Sequence, residues 1–374
     1  MKMKFKYVMI AAATLLLGFA SCSSDDGGDG GDTTGTKDVA VKIKRPTTYA
    51  EDASAVGVVP DMKDAEVFFF ASGIIKATGT MNLAEIASGK TFTGLNSGVD
   101  KVIIVANTNL LSSPAIPTTI TTEAQLNAIM LDHSAQTHFQ TGVNLQGSAT
   151  ITGTTNVTVN VDIYPAIARY EIGEIKAMPA ASNPKLPLRS FKLTGIYINN
   201  TYTKVSLDYN TVSTVAAEIL NYGTTATQWT DGTYPAAFKD EWAVAGVTAG
   251  SIFAPTTIGE YWSYFVMPPV ANKGTTIDSE LKTSVPHIIL KLEDAIVEDG
   301  LAGYPHPKNP GYITITKLKK GGTYLDNLTR GEVYQIATIE IDGADIDDPE
   351  PKTKDVEVNV IVKPWVGVPV TPEI

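Results

Sequence analysis

The sequence feature that most constrains the fold is an alternating segment close to the end of the chain. Val356, Val358, Val360 and Val362 recur at every second position, and Ile361 is the single apolar residue between them. A period of two predicts a β-strand with one valine face, because successive side chains of a strand point to opposite sides. A sheet must therefore cover this face.

Two interpretations of this strand are compatible with its surroundings. An acidic segment with two prolines, residues 345–352, precedes it and predicts an extended, solvated tether. Pro364 removes a donor from the hydrogen-bond ladder and ends regular pairing. The strand is either the last strand of the chain's own sheet or a strand meant for a neighbouring molecule, since a free strand edge invites pairing with another chain.

Composition places the chain among β-rich globular proteins. Its 374 residues suffice for two domains, and it has 43% hydrophobic and 18% charged residues. Helical periodicity is scarce, so the predicted class is all-β. A net charge of −11 argues against binding to nucleic acid or to anionic membrane surfaces.

The first residues have the pattern of a secretory signal. Lys2, Lys4 and Lys6 precede an apolar run over residues 7–20, which is too short for a mature transmembrane helix. Cys22, the single cysteine, follows two small residues and resembles the end of a lipobox.

This lipobox pattern suggests roles for the first segments. We interpret residues 1–21 as a signal peptide and expect lipidation of Cys22, which would anchor the precursor in an outer membrane. The alternative is an ordinary secreted protein in which Cys22 is buried. Residues 22–36 are rich in Ser, Asp and Gly and are interpreted as a flexible lipoprotein arm.

Alternating and apolar runs divide the remaining chain into two β-domains and a tail. We place an N-terminal domain at residues 37–165, a C-terminal domain at 166–350 and the tail at 351–374, with Pro165 at the break. The turn-rich residues 208–260 are a predicted surface excursion. The predicted elements are strands over residues 39–44, 64–70, 99–106, 156–163, 167–172, 189–198, 261–266, 287–292, 312–315 and 332–341, and a helix over 123–130 capped by Thr122. The strand at 99–106 is expected to be buried on both faces, because nearly all its residues are apolar.

The chemistry-bearing residues form no catalytic or metal-binding pattern. His133 and His138 are five positions apart rather than three or four, and no second ligand pair accompanies them. His287 and His306 are isolated, and all four histidines are expected to be structural or solvent-facing. We predict no catalytic residue, no metal and no cofactor, and a chain that is not an enzyme.

Two other groups of residues have both a structural and a functional interpretation. An acidic turn contains Asp342, Asp345, Asp347 and Asp348. It resembles a calcium loop in charge alone, because it lacks the Gly and the distal Glu of an EF-hand, so we expect a solvated turn. Trp229, Trp242 and Trp262 would suit glycan binding if exposed, but core packing is the expected role.

Several segments together resemble the fimbrillins, the major subunits of type V pili. They are the lipobox ending at Cys22, Ile167-Ala-Arg-Tyr-Glu-Ile172, Leu328-Thr-Arg-Gly-Glu-Val-Tyr-Gln-Ile336, the acidic residues 341–349 and the ending over residues 362–372. The resemblance spans the whole chain. It implies two β-sandwich domains of transthyretin-like topology, lipoprotein export, proteolytic removal of the first strand and polymerisation by donor-strand exchange.

The resemblance also implies a maturation site behind the first strand. Fimbrillins are cut after an arginine there, which corresponds to Arg45, but Pro46 follows it and trypsin-like proteases cut such bonds poorly. Three alternatives stay open. The chain is cut after Lys37, Lys42 or Lys44, it is cut in the following loop, or it is not cut at all, as in an anchor subunit.

In this family the C-terminal strand is the one donated. The resemblance implies a donor strand consisting of Val356, Val358, Val360, Val362 and Trp365. It would enter the next subunit head to tail, and such a contact does not close on itself but generates a filament. The implied partners are copies of this chain and related fimbrial subunits, the outer membrane through the lipid, and a ligand on a host or bacterial surface.

The expected function is a structural subunit in the shaft of a cell-surface fimbria that supports adhesion. The alternative is a surface adhesin or glycan-binding lipoprotein, at the tip or at the anchor of a pilus. A secreted β-sandwich enzyme is a third hypothesis, and no polar constellation supports it. The tethered strand favours the shaft subunit, because a tip subunit has no neighbour to which it could donate.

Overall fold

Strands account for most of the regular structure in the part of the chain that a computed structural model describes. Cys22, Arg45 and Trp365 lie outside that part. Within the same part, no helix is both long enough and apolar enough to cross a membrane. The described residues are 35–44, 62–111, 116–136, 142–208, 219–255, 261–267, 285–298, 307–351 and 356–364.

The first half of the chain folds into two sheets and two short helices. Its elements are β1 (Thr36–Lys44), β2 (Ala65–Ala71), β3 (Ile74–Met81), α1 (Leu83–Ser88), β4 (Lys90–Asn96), β5 (Lys101–Ala106), α2 (Glu123–Asn127), β6 (Met130–Asp132), β7 (Leu145–Thr150), β8 (Val157–Asp162) and β9 (Tyr164–Pro165). One sheet has the order β4-β1-β8 and the other β3-β2-β5-β7-β9. Their facing apolar side chains form one core, so this half is a β-sandwich.

Strand β5 is apolar on both faces, as its sequence predicts. Val102 and Ile104 point into the core of the sandwich, whereas Ile103 and Val105 belong to a second apolar cluster on the other side of the sheet. These four side chains are at most 2% exposed. A strand buried on both faces needs cover from elsewhere in the chain, and residues of both halves provide it.

The second half forms two large sheets and a pair of two-residue strands. Its strands are β10 (Ala168–Ala177), β11 (Leu188–Asn199), β12 (Thr201–Tyr202), β13 (Lys204–Ser206), β14 (Ile219–Leu220), β15 (Lys239–Glu241), β16 (Ile252–Phe253), β17 (Trp262–Val266), β18 (His287–Val297), β19 (Gly311–Lys320), β20 (Thr323–Tyr324), β21 (Glu332–Ile341), β22 (Val356–Asn359) and β23 (Ile361–Pro364). One sheet has the order β16-β10-β21-β23, with β17 also on β10. The other has the order β15-β11-β18-β19-β20, with β22 also on β19.

These two sheets enclose the largest apolar core of the described residues. Tyr170, Ile172 and Ile336 from one sheet share it with Leu290 and Ile313 from the other. The chain therefore contains two β-sandwiches, which confirms the predicted all-β class.

The predicted surface excursion over residues 208–260 is wrong for its described middle part. Trp229, Tyr234 and Phe238 are 2–3% exposed and pack into the core of the second sandwich. The Tyr234 hydroxyl donates to the carbonyl oxygen of Ile198 at 2.8 Å. Closely spaced aromatic residues bury this turn-rich segment although it has little regular structure.

The predicted helix after Thr122 is present but shorter than expected. The Thr122 hydroxyl oxygen accepts from the backbone N–H of Gln125 at 3.2 Å, as an N-cap should. The helix ends at Asn127 because Met130 begins β6. Single turns of 3-10 helix lie at Thr108–Leu110, His133–Ala135, Ala180–Ser182, Thr227–Trp229, Ala236–Phe238, Val244–Gly246 and Gly343–Asp345.

The two sandwiches share contacts across the predicted boundary at residue 165. Strand β6 of the first half pairs with β13 of the second. The second apolar cluster contains Phe70 and Ile103 from the first half and Val205 and Val333 from the second. Strand β9 ends at Pro165 and β10 begins three residues later, but the division into independent domains stays a prediction.

Candidate assembly site: the first strand and the C-terminal strands

Strand β1 holds the central place in its sheet. It pairs with β4 in the antiparallel sense and with β8 in the parallel sense, so both of its edges carry hydrogen bonds. Val39 and Val41 have no exposed surface, and Ile43 packs against the same core. Removing β1 would separate β4 from β8 and open an apolar slot between them.

Lys37 precedes the valines on the inward face of β1. Lys37 is 3% exposed. Its Nζ donates to the carbonyl oxygens of Val99 and Gly153, the latter at 2.9 Å. Burial lowers the pKa of Lys37, and the negative charge of Asp100 opposes part of that shift. This pocket was not predicted from the sequence. The available sign was that Lys37 shares the inward face of the strand with Val39 and Val41, at every second position.

Asp38 fixes an irregularity in the neighbouring strand. Its Oδ1 accepts from the backbone N–H of Gly94 at 3.0 Å. The register between β1 and β4 shifts at this point, which leaves one extra residue in β4, as in a β-bulge. Gly94 has a φ of +68°, and glycine takes this left-handed conformation without steric cost.

The alternating C-terminal segment forms two short strands against the chain's own second sandwich. Strand β22, with Val356 and Val358, pairs in parallel with β19. Strand β23, with Val362, pairs in the antiparallel sense with β21. The tail therefore passes from one sheet to the other at Val360, whose N–H donates to the carbonyl oxygen of Lys319 at 2.7 Å.

The valine face of the tail points into the core, as its alternation predicts. Val358 is 8% exposed and Val360 is 5% exposed, while Val356 and Val362 are partly buried against the same cluster. Ile361, which interrupts the pattern, is 53% exposed on the opposite face. Among the described residues, β22 and β23 each pair with one strand, whereas β1 pairs with two. Donation of the tail to another molecule stays a prediction.

Glu357 contacts the sheet from the outward face of β22. Its carboxylate accepts hydrogen bonds from the Lys319 ammonium and the Tyr324 hydroxyl. These hydrogen bonds, above all the one from Lys319, lower the pKa of Glu357. The Glu357 side chain is 46% exposed, so this ion pair contributes little to holding the tail in place.

A buried ion pair lies on β10, within the segment that resembles the fimbrillins. Arg169 Nη2 donates to Glu171 Oε1 at 2.6 Å, and both side chains have no exposed surface. Gln335 of β21 donates to the other carboxylate oxygen at 3.2 Å. Burial lowers the pKa of Arg169 and raises the pKa of Glu171, while their mutual attraction opposes both shifts. The pair lies on the sheet face opposite to Tyr170 and the C-terminal core.

The two described histidines are buried, which agrees with structural roles. His133 stacks on Phe238 with ring centroids 3.9 Å apart, and its Nε2 lies 2.9 Å from the carbonyl oxygen of Phe265. The Nδ1 of His287 lies 2.9 Å from both carboxylate oxygens of Glu350. The other two histidines, His138 and His306, lie outside the described residues.

The acidic turn is a folded corner, and the expectation of a solvated turn is wrong for Asp342. That residue is 5% exposed and accepts from the backbone N–H of Lys185 at 2.7 Å. Asp347 and Asp348 each lie 2.6 Å from Lys308 Nζ. Within the described ranges, no group of three or more His, Cys, Asp or Glu residues is placed to hold a metal ion.

The tryptophans divide between the core and the surface. Trp229 is 2% exposed inside the second sandwich. Trp242 and Trp262 are half-buried, with ring centroids 6.0 Å apart, and they line an open cleft of about 620 Å³. Asp240 and Phe253 line the same cleft. Of the three, only Trp242 and Trp262 are placed to contact a ligand.

This double β-sandwich is also found in solved structures of bacterial proteins. No family model matches the sequence. No curated protein matches it either. A fimbrilin from Porphyromonas gingivalis W83 has the same fold, with a TM-score of 0.54 and 12% identity over 90% of this chain and 99% of the fimbrilin.

Two proteins from Parabacteroides distasonis ATCC 8503 that are assigned to cell adhesion share the fold as well. One has a TM-score of 0.51 and 13% identity, covering 90% of this chain and 99% of its own. The other has a TM-score of 0.52 and 14% identity, covering 88% of this chain and 100% of its own. At such low identity the likeness concerns the fold alone, and at that level the resemblance to the fimbrillins is confirmed.

Proposed function

We propose that this chain is a structural subunit of a cell-surface fimbria that supports adhesion, exported as a lipoprotein precursor and polymerised by donor-strand exchange. The observation that carries the proposal is the difference between two strand positions. Strand β1 is paired on both sides, whereas β22 and β23 are each paired on one side. A tail that leaves its own sheet edges for a vacated β1 slot gains a second row of hydrogen bonds.

The energies favour exchange once β1 has been removed. A ladder hydrogen bond contributes about 1 kcal/mol net, and a row has about one hydrogen bond per residue, so a second row over six residues adds roughly 6 kcal/mol. Val356, which is partly buried in its own sandwich, buries more apolar surface in a central position. An empty slot would also leave backbone groups of β4 and β8 unpaired, and filling it removes that penalty.

The burial of β1 supports a maturation cut behind this strand and not within it. A protease needs an extended, unpaired segment, whereas Lys37 lies in a closed pocket and Lys42 lies in a strand bonded on both sides. Lys44 ends β1, and Arg45 follows directly. Cleavage after Lys44 or Arg45 would release β1 together with the lipidated Cys22.

A truncation tests whether the tail carries polymerisation. The purified precursor and a variant lacking residues 355–374 are treated with limiting protease and analysed for stable ladders by electrophoresis. We expect ladders from the full chain and none from the truncated chain, because each acceptor slot then lacks its strand. Ladders from the truncated chain would rule out exchange through this tail.

A matched pair of substitutions tests which face of the tail is donated. Val360→Asp places a carboxylate on the valine face, where burial of an unpaired charge prevents insertion. Ile361→Asp changes the next residue, which points outward and is 53% exposed. We expect Val360→Asp to abolish the ladders and Ile361→Asp to leave them unchanged; equal polymerisation by both variants contradicts the proposed face.

Glycan binding is a second candidate function, favoured by the cleft beside Trp242 and Trp262. Half-buried aromatic faces next to a carboxylate, here Asp240, suit the stacking and hydrogen bonding of a sugar ring. Titration of the purified chain with soluble glycans should change its tryptophan fluorescence, and Trp242→Ala with Trp262→Ala should remove the response. Tyr324→Ala, an exposed aromatic elsewhere, serves as the control. Unchanged fluorescence across the glycans excludes this function.

A further inference from the structure

The segment that forms β1 is repeated in the tail. Residues 36–43 have the sequence Thr-Lys-Asp-Val-Ala-Val-Lys-Ile, and residues 353–360 have the sequence Thr-Lys-Asp-Val-Glu-Val-Asn-Val. The Thr, Lys, Asp and both Val positions that begin these segments are identical, and the last position is β-branched in each. In this alignment Lys354 corresponds to Lys37.

Alternating valines alone leave the register of a donated strand open. A shift by two residues moves each valine into the place of the next, and the same face stays buried. A unique register requires a residue that fits only one point of the slot. In β1 that residue is Lys37, because a buried ammonium needs acceptors and cannot take the place of a valine without cost.

The acceptors for this ammonium lie at one end of the slot. They are the carbonyl oxygens of Val99, between β4 and β5, and of Gly153, between β7 and β8. The carboxylate of Asp100 adds negative charge nearby. All of these groups belong to the body of the sandwich, so they stay in place when β1 leaves.

We propose that this lysine pocket sets the register of the donated strand, with Lys354 of one molecule in the position that Lys37 holds in the precursor of the next. The inference rests on the proposed donor-strand exchange and specifies its geometry. Asp355 then takes the place of Asp38 and accepts from the N–H of Gly94. Lys354 is a positioning residue, since it selects the register while the valines provide the apolar burial.

This register assigns a partner to each residue of the donated strand. The tail runs in the direction of β1, parallel to β8 and antiparallel to β4. Each residue of the donated tail takes over the pairing with β8 that the corresponding residue of β1 makes in the precursor. The assigned partners are Val356 with Val157, Val358 with Val159, Asn359 with Asn160 and Val360 with Val161.

Lys352 offers a rival register. In an extended strand its side chain would lie on the same face as that of Lys354, so a shift by two residues would bring it to the pocket. Thr353 would then stand where Asp38 accepts from Gly94, and the charged acceptor would be lost. The repeat therefore favours Lys354.

Disulfide mapping tests the register. Purified precursor with Cys22→Ala and Asn359→Cys receives a second cysteine at Asn160, at Thr158 or at Asp162, and is polymerised by limited proteolysis and then oxidised. Directly opposed residues of paired strands are close enough for a disulfide. We expect covalent ladders under denaturing, non-reducing conditions from Asn160→Cys, and few or none from Thr158→Cys or Asp162→Cys.

A matched lysine pair tests the pocket. Lys354→Met keeps an unbranched side chain but removes the ammonium, and loss of a charged hydrogen bond should lower the polymer yield about tenfold. The remaining polymer should form disulfides at all of the mapped positions, because its register is no longer fixed. Lys352→Met should keep the wild-type yield and form the disulfide at position 160 alone.

The outcomes separate this inference from the exchange on which it rests. Ladders at Thr158 or Asp162 in place of Asn160 overturn the proposed register, and so does a Lys354→Met chain that keeps both the yield and the single position. In either case tail-dependent polymerisation stands. Polymers that form without residues 355–374 overturn donor-strand exchange itself.

Discussion

At the scale of single residues, the interior of this β-protein contains charges that must be paired. Arg169 and Glu171 alternate with the core residues of β10 and therefore lie on the other face of the sheet, without exposed surface. Gln335 completes the network from β21. Replacement of such a pair by apolar residues is often neutral, but removal of one partner leaves an uncompensated charge.

We expect Glu171→Ala to lower the free energy of unfolding by about 3–5 kcal/mol, because Arg169 then stays buried without its counter-charge. Glu174→Ala is the control on the same strand. Its ion pair with Lys176, at 3.3 Å, is partly exposed, and its loss should cost less than about 1 kcal/mol. Urea unfolding of the two variants measures both effects, and equal losses would contradict a special role for the buried pair.

His133 makes the stability of the chain sensitive to acid. Burial lowers the pKa of His133 from 6.5 to about 4, against opposing effects of the hydrogen bond to Phe265 and of the Asp132 charge. Because Nε2–H donates to a carbonyl oxygen, the second proton must go to Nδ1, which has no partner among the described residues. The folded state therefore resists protonation, whereas the unfolded chain accepts a proton below pH 6.5.

The expected result is a loss of stability of about 3 kcal/mol as the pH falls from 6.5 to 4, with full stability above 6.5. Thermal melts at pH 7 and pH 4.5 measure it. His133→Gln keeps a side-chain donor but does not titrate, so its melting temperature should fall less between these two pH values. Equal falls in the two proteins would assign the acid sensitivity to other groups.

At the scale of elements, the proposed exchange gives the tail two alternative positions. In the chain's own sandwich, Val358 and Val360 are buried but β22 and β23 are paired on one side only. Ordering these residues costs about 1–2 kcal/mol each in backbone entropy, which offsets most of the gain from burial and hydrogen bonds. We therefore expect the tail to be bound weakly enough to leave, as the proposed donation requires.

We expect deletion of residues 355–374 to preserve the β-sheet circular dichroism of the unprocessed precursor and to lower its melting temperature by only about 5 °C, which corresponds to a loss of about 2 kcal/mol. A complete loss of the folded signal would instead make the tail an integral strand of its own sandwich. Ile361→Asp in the full chain should leave the melting temperature unchanged, since that side chain is exposed.

At the scale of the whole molecule, the two sandwiches are coupled, whereas the strands of the proposed exchange lie outside the coupling contacts. The β6–β13 pairing and the shared cluster around Val205 and Val333 hold the halves together. Neither β1 nor the tail belongs to that cluster. The proposed loss of β1 and transfer of the tail would therefore not require the sandwiches to separate.

We expect subunits isolated from fibres to begin after Lys44 or Arg45, because an empty β1 slot is needed to accept the next tail. N-terminal sequencing of washed fibres measures this. Precursor held at the membrane should begin at Cys22 and carry the lipid. Fibre subunits that begin at Cys22 would exclude removal of β1 and favour an anchor role.

The long apolar elements were predictable from the sequence, while the weakly patterned ones were not. Strand β21 has the bounds predicted from its alternation, Glu332–Ile341, and the two buried faces of β5 follow from its apolar run. Strands β3 and β4 were missed, because their Thr, Lys and Gly residues alternate between half-exposed and exposed positions and give little contrast. The buried aromatic segment around Trp229 was missed because irregular backbone has no period to detect.

The sequence by itself determined that the strongly alternating and the long apolar segments are strands, and which face of each is apolar, because side-chain alternation is a local property of the backbone. That covers β1, the valine face of the tail and the outward position of Ile361. Only the tertiary structure decided that β1 has two neighbours and the tail strands one each, and that Lys37 meets carbonyl oxygens brought together from two turns. These facts depend on pairing between segments far apart in the chain, and a local period contains no information about the partner.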